Sequence, residues 1–356
     1  MKQKKGVTTA TMKDVADEAG VSTATVSRTL MNPEKVSATT RRKVEQAVIA
    51  VGYSPHALSR NLKRNESRTI LTIVPDICDP YFSEIFRGIE ETAAEHGYLV
   101  LIGDCAHQHQ KEKTFVDLII TKQIDGMVLL GSNLPFDAGQ EEQRNLPPMV
   151  MANEFSPDLA LPTVHIDNLT AAFEAVHYLQ QAGHQRIACI AGHQRIACIA
   201  GPEHMHLSQY RLQGYIQALR RNGMLIDNQY IFRGDFTYET GINGLIALMQ
   251  HPQPPSAIFC HSDLMALGVL AQARKMGLDI PRDLSIIGFD DIEQTQYCWP
   301  PLTSVAQPRY QIGREAMLLL LEQLQGNTVQ SGSRLLSSEL VIRDSVAAPN
   351  YARNRL

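Results

Sequence analysis

Carboxylates, amides and aromatic rings gather where the apolar runs of this chain end. They are Asp76-Ile77-Cys78-Asp79-Pro80-Tyr81-Phe82, Asp104, Asn153, Asp167-Asn168, His261-Ser262-Asp263 and Phe289-Asp290-Asp291. Adjacent carboxylates such as Asp290 and Asp291 have two chemistries open to them. They can act as acid and base in a proton transfer, or as ionic acceptors that clamp the hydroxyls of a sugar. Arg211, at the start of a helical pattern after a polar loop, reads equally as a ligand clamp and as a surface residue. Common enzyme signatures are missing: there is no GxxxxGK[ST], GxSxG or HExxH, and no GxGxxG after a strand. His107/His109 and His204/His206 have a spacing that suits a metal, but they lie in polar loops and read as surface histidines. No cofactor and no metal is expected.

A second chemistry lies near the N-terminus, in Thr23, Ala24, Thr25, Ser27 and Arg28: small polar groups and one guanidinium at the start of a short helix. Thr11 with Asp14 is a capping-box start, Gly20 a stop, and Ser22 the cap of the next helix. Ser37 caps a third, which carries Val44, Ala47, Val48 and Val51 on one face before Gly52 ends it. Helix, four-residue turn, helix is the geometry of a DNA-reading helix-turn-helix. Residues 1–65 hold twelve Lys and Arg against five Asp and Glu, a formal +7, so the rest must carry −11 to reach the chain's −4. A basic head on an acidic body suits a polyanion-binding module joined to a different domain. The plainer alternative is a small helical domain with a solvated basic face.

From Ser67 the pattern changes. Apolar strands ThrIleLeuThrIleValPro, TyrLeuValLeuIleGly, AspGlyMetValLeuLeuGly and MetValMetAla (149–152) alternate with helical stretches beginning at Tyr81 and over 169–182 and 208–222. SerAlaIlePheCys and LeuSerIleIleGly add further strands. Near-continuous apolar strands separated by helices predict parallel sheets covered on both faces. Their number predicts two lobes, with ligands at the strand ends or in the cleft between them.

At 356 residues the chain has room for two or three full domains. No apolar run reaches the roughly 18 residues of a membrane span, and the Lys-rich start has no apolar core of a signal peptide after it. Six cysteines lie singly, without CxxC or Cys/His metal spacing, and read as reduced thiols of a cytoplasmic protein. GlyHisGlnArgIleAlaCysIleAla at 183–191 is repeated at once at 192–200. Only one strand slot is expected, so one copy should form a buried strand and the other should lie outside the sheet.

MKDVADEAGVSTATVSR, NPEKVS, TRRKVEQAVIAVGYSP and ALSRNLK resemble the DNA-binding end of the LacI/GalR repressor family. DPYFSEIFRGIEETAAEHGY, IDGMVLLG, HIDN, HSDLMALG, IIGFDD, PPLTSVAQP and IGREAMLLLLEQL resemble that family's core, so the resemblance spans essentially the whole chain. The chain departs from it at the nine-residue repeat and at Met31, where many relatives place Asn. The resemblance implies an N-terminal all-α helix-turn-helix domain over 1–56, a hinge helix and linker over 57–67, and an α/β core over 68–356. That core would consist of two parallel-sheet lobes, periplasmic-binding-protein-like. The N-lobe is expected at about 68–167 and 300–328, and the C-lobe at about 168–299 and 329–345.

The resemblance also assigns roles. Thr23, Ala24 and Arg28 would face base edges, while Ser22, Thr25 and Ser27 approach phosphates. Leu62, flanked by Arg60 and Asn61, would be the hinge wedge pushed between bases of the minor groove. Arg211 and Asp290 would hold sugar hydroxyls, Phe82 and Phe236 would wall the base, and Asp263 would face the cleft. The plainer reading of Phe82 and Phe236 is helix-start packing. What the resemblance implies is a dimeric, cytoplasmic repressor without enzymatic activity. It would release operator DNA on binding a nucleoside, cytidine, and would cooperate on DNA with a cyclic-AMP-responsive activator protein.

Overall fold

The computed structural model describes residues 10–53, 66–105, 115, 118, 121–131, 147–154, 161–184, 195–326 and 332–349. The chain forms two compact units, Met1–Arg68 and Thr69–Leu356.

In the first unit the caps read in the sequence set the helices. Thr11 and Asp14 form a reciprocal capping box for α1 (Met12–Ala19), and Gly20, left-handed at φ 65°, ends it. Ser22 accepts from the Thr25 N–H at the start of α2 (Thr23–Met31), and Ser37 accepts from the Thr40 N–H at the start of α3 (Ala38–Val51). A short 3-10 turn, Pro33–Lys35, which periodicity did not signal, joins α2 to α3. The three helices close on a small core of Val15, Ala16, Val26, Val44, Ala47 and Tyr53.

The second unit holds two six-stranded sheets. The first is ordered β11-β5-β4-β3-β1-β2, from β1 (Thr69–Val74), β2 (Leu99–Asp104), β3 (Gly126–Leu129), β4 (Met149–Ala152), β5 (Thr163–Ile166) and β11 (Arg334–Leu336). The second is ordered β12-β10-β9-β8-β6-β7, from β6 (Ile196–Ala200), β7 (Ile231–Arg233), β8 (Ala257–Cys260), β9 (Ser285–Asp290), β10 (Thr303–Ala306) and β12 (Glu339–Val341). All pairings are parallel except β10 with β12. The lobe boundaries expected from the resemblance shift at two places. β10 pairs with β9 in the C-lobe, and β11 pairs with β5 in the N-lobe, because the last strands are exchanged between the sheets.

Helices α4 (Tyr81–Glu95), α5 (Asn168–Gln181), α6 (His206–Arg221), α7 (Tyr238–Met249), α8 (Asp263–Lys275), α9 (Gln294–Tyr297) and α10 (Arg309–Leu324), with a 3-10 turn at Asn228–Tyr230, complete the described elements. α4 and α10 cross so closely that a Cβ at Gly88 would stand 2.2 Å from the Tyr310 carbonyl oxygen. That contact draws the returning α10 onto the N-lobe. The central strands are buried at nearly every residue, but the edge strand β2 leaves Leu99, Leu101 and Ile102 exposed, so the expectation of cover on both faces fails there.

The second copy of the repeat supplies the whole of β6, with every residue buried. Gly183 and His184 of the first copy follow α5, and residues 185–194 lie outside the described residues. His184 Nδ1 is 2.9 Å from Ser256 Oγ, and the Ser256 N–H donates to the Arg195 carbonyl at 2.9 Å. The two flanks of the repeat junction therefore meet at one residue.

Candidate functional site

Two sites are built, one in each unit. On α2 the buried positions are Val26 and Thr29, so the opposite face turns outward. Ser22, Thr23, Ala24 and Arg28 are exposed, whereas Thr25 and Ser27 are half-buried. Thr25 Oγ1 is tied to Ser22 Oγ at 2.9 Å, and Ser27 Oγ donates to Met31 Sδ at 3.8 Å. The exposed strip can hydrogen-bond and carries one cation, while Ala24 can offer only apolar contact, for example to a thymine methyl. Arg60, Asn61 and Leu62 lie outside the described residues.

The second site lies at the carboxyl ends of the strands of both lobes, where ligands bind in open α/β sheets. Arg211 on α6 is its centre. Its Nε donates to Asn168 Oδ1 at 2.8 Å, its Nη1 donates to the His261 carbonyl, and Asp290 Oδ1 stands 3.7 Å from Nη1. The guanidinium also lies 3.7 Å above the Phe289 ring. Arg211 and Asp290 are both buried. The Gln307 amide donates to Asp290 Oδ1 at 2.8 Å, from the residue after β10, whose Ala306 is in register with Asp290. The Tyr81 hydroxyl, at the start of α4, donates to Asn153 Oδ1, with Gln307 Oε1 3.2 Å away. N-lobe and C-lobe polar groups thus join in one chain from Tyr81 to Asn168.

Electrostatics follow from burial. Desolvation pushes the Asp290 carboxyl up to about 7, against the pull of Arg211. Desolvation, and then the Asp290 charge, hold the Tyr81 hydroxyl well above its usual value, so it serves as a donor. His261 is kept neutral by burial and by Arg211. Its Nδ1 accepts from the Gly201 N–H, which assigns the remaining proton to Nε2 beside Cys198 Sγ.

The sequence candidates separate here. Arg211 and Asp290 meet. Phe82 is buried edge-on to Tyr81, with ring centroids 5.1 Å apart. Phe236, half-buried at φ 67°, lays its ring over Gly201, where a Cβ would stand 2.2 Å from Cζ. Asp263, expected to face the cleft, is fully buried with both oxygens engaged. Oδ1 accepts from Ser304 Oγ at 2.6 Å and Oδ2 from the Ile292 N–H at 2.9 Å. Burial and then the Asp290 charge raise its carboxyl well above the ordinary range. It braces the 290–292 loop from beneath rather than opening to a ligand.

The spacing of residues did not point to Tyr81 as a hydrogen-bond donor, nor to Gln307. Backbone strain was a further hidden signal. Of the six non-glycine residues with positive φ among the described residues, Asn153, Phe236, Asp290 and Asp291 follow or end strands at this cleft. Such strain collects at binding sites.

No group of three or more His, Cys, Asp or Glu among the described residues could hold a metal. Among them, no helix is long and apolar enough to cross a membrane. Of the described cysteines, Cys105, Cys198 and Cys260 are buried, Cys298 is half-buried and Cys78 is exposed.

Residues 11–56 match the family described as bacterial regulatory proteins, lacI family, and residues 176–346 match the periplasmic binding protein-like domain. The chain is 69% identical to the HTH-type transcriptional repressor CytR of Escherichia coli K12 over 98% of this chain and 99% of that protein. It is 35% identical to catabolite control protein A of Priestia megaterium, over 94% and 98%. Among solved structures, the lac repressor dimer bound to operator and the anti-inducer ONPF matches with a TM-score of 0.80 at 25% identity, covering 96% of this chain and all of that one. The CelR–cellobiose complex matches with a TM-score of 0.69 at 29% identity, covering 94% and 99%. With a capped helix-turn-helix in one unit and a polar interlobe cleft in the other, the chain belongs to the LacI family: it is a DNA-binding transcriptional repressor, not an enzyme.

Proposed function

We propose that the repressor senses a nucleoside, cytidine, in the interlobe cleft, and that binding releases the operator. The observation that carries this is the buried Arg211–Asp290 pair, fed by both lobes through Tyr81, Asn153 and Gln307. Ribose hydroxyls need ionic and amide acceptors held in place, and a pyrimidine needs an aromatic wall. Phe236, half-exposed over Gly201, supplies that wall, whereas Phe82 is buried edge-on to Tyr81. Because the hydrogen-bond chain crosses between lobes, a ligand that reorganises it shifts the population of lobe arrangements, and through them the fit to DNA.

At the operator, Thr23, Ala24 and Arg28 read base edges from the exposed face of α2, and Ser22, Thr25 and Ser27 position the helix on phosphates. The segment with Arg60, Asn61 and Leu62 acts in the minor groove. The repressor works as a cytoplasmic homodimer. Exposed Leu99, Leu101 and Ile102 on β2, with Tyr297 and Trp299 near α9, supply apolar area for a second copy. Cooperation with a cyclic-AMP-responsive activator on DNA is part of the same reading.

Titration calorimetry of the full chain with cytidine, uridine, adenosine and ribose tests the effector. Cytidine should bind more tightly than the others and free a labelled operator fragment. Operator release by another nucleoside at lower concentration would replace cytidine, and release by none would sink the reading.

A further inference from the structure

Helix α6 begins without a cap of its own. Met205 precedes it and makes no side-chain cap, although a sixteen-residue helix presents orphan N–H groups and a partial positive charge at that end. The acceptor comes from the other lobe. Glu154, two residues beyond β4, is fully buried, and its Oε1 accepts from the Leu207 N–H at 3.2 Å. In the same first turn, Ser208 Oγ and His206 Nδ1 are buried and make no hydrogen bond. Backbone N–H groups, a hydroxyl and an imidazole at a helix N-terminus are the parts of a phosphate seat. A carboxylate already occupies it.

One turn further along α6, Arg211 lies in the combined field of Asp290, Glu154 and Asp263. Arg309, a second guanidinium beside this cluster, has its Nη2 engaged by Glu84 at 3.4 Å and by the Asp291 carbonyl at 3.0 Å, and Arg343 is paired with Asp291 at 2.7 Å. A ligand that brought a phosphate would meet carboxylates where it needs donors.

We infer that Glu154 restricts the cleft to unphosphorylated ligands: it fills the anion seat of α6, admitting a nucleoside and refusing its 5′-phosphate. This rests on the nucleoside reading above. The shape of the base has no part in the discrimination, which is a matter of charge and of an occupied helix end.

Two variants of the full chain test it. Glu154→Gln keeps an acceptor for Leu207 but removes the charge, and Glu154→Ser also empties the seat. Each is titrated with cytidine and with cytidine 5′-monophosphate, and melted with and without inorganic phosphate. The unaltered chain should prefer cytidine by about a hundredfold, and both variants should narrow that preference by roughly tenfold, as expected when a like-charge contact is removed. Phosphate should raise the melting temperature of the variants and leave the unaltered chain unmoved. An unchanged preference, or a phosphate effect equal in all three proteins, overturns the assignment. Should Glu154→Ser fail to fold, Glu154→Gln carries both measurements. If the unaltered chain binds no cytidine, the nucleoside reading fails, and the phosphate melts alone decide the role of Glu154.

Discussion

Helix α2, proposed to read DNA, and the cleft proposed to hold the effector are assembled in opposite ways. On α2 the side-chain bonds that shape the reading face reach only three or four residues along the chain: Ser22 with Thr25, Ser27 with Met31, Thr29 with Thr25. In the cleft, Tyr81 meets Gln307 across 226 residues, and Arg211 meets Asn168 and His261 across 43 and 50. The first site is mostly exposed, so its groups can stay hydrated. The second is buried, so each polar group must be satisfied by a distant partner, and losing one strands another in a low-dielectric site. A local, exposed site should therefore lose function without losing stability, and a distant, buried one should lose both.

The sharpest break is Arg211→Ala. It leaves Asp290 buried without its cation, which costs about 3–5 kcal/mol of stability, and it should abolish the effector response while operator binding persists in the folded fraction. Because the Asp290 carboxyl titrates near 7, it can take up a proton to relieve that cost. The loss, measured by denaturant unfolding, should be larger at pH 8 than at pH 6. A variant equally stable and still released by effector at the original concentration would show that the pair is ornamental.

The same carboxyl gives a pH test. Burial raises it from the ordinary 3.8 to about 7, so the folded chain holds a proton that the unfolded chain has lost across that interval. Its contribution to stability therefore falls as pH rises from about 4 to about 7, and is flat above. Effector affinity runs the other way. In the proposed role the ionised form accepts the ligand's hydroxyls, so affinity should drop roughly tenfold per unit as pH falls below 7. In Asp290→Asn both slopes should vanish, and a calorimetric pH series on the two proteins checks this. A slope that survives in Asp290→Asn belongs to another group.

On the other side of the comparison, Arg28→Ala should cost roughly 1–3 kcal/mol at one base position and relax specificity there. The melting temperature of the first unit should hardly move, since Arg28 is exposed. Competition gel shifts with operator and random DNA decide it: equal loss on both would reduce Arg28 to a phosphate contact. Ser22→Ala, by contrast, should lower stability by about 1 kcal/mol through the lost cap of α2.

The smallest effect concerns the repeat. Because the two copies are identical, deleting 183–191 or 192–200 yields the same protein. His184 and Arg195 already meet at Ser256, so a single Gln can bridge them. The deletion should raise the melting temperature by a few degrees at most, since closure entropy grows slowly with loop length, and should leave the effector site unchanged. An unfolded product would mean that both copies are structural.

What the sequence determined by itself is local. Caps at Thr11, Ser22 and Ser37 and the stops at Gly20 and Gly52 fix the three helices, because a helix end is decided by residues within one turn of it. The apolar runs from Thr69 onward likewise gave the strands, and the ends of those runs marked Asn153, Asp263 and Asp290 before any fold was known. Only the tertiary structure decided which of these work together. Asp263 and Asp290 look alike as carboxylates after apolar runs, yet one is sealed by Ser304 and Ile292, and the other meets Arg211. The exchange of β10 and β11 between sheets brings Gln307 to Asp290, and Glu154 caps a helix that starts more than fifty residues later. Periodicity records only which face of an element is apolar. Which buried charge faces which is set by how two sheets are closed, and no window of the sequence contains that.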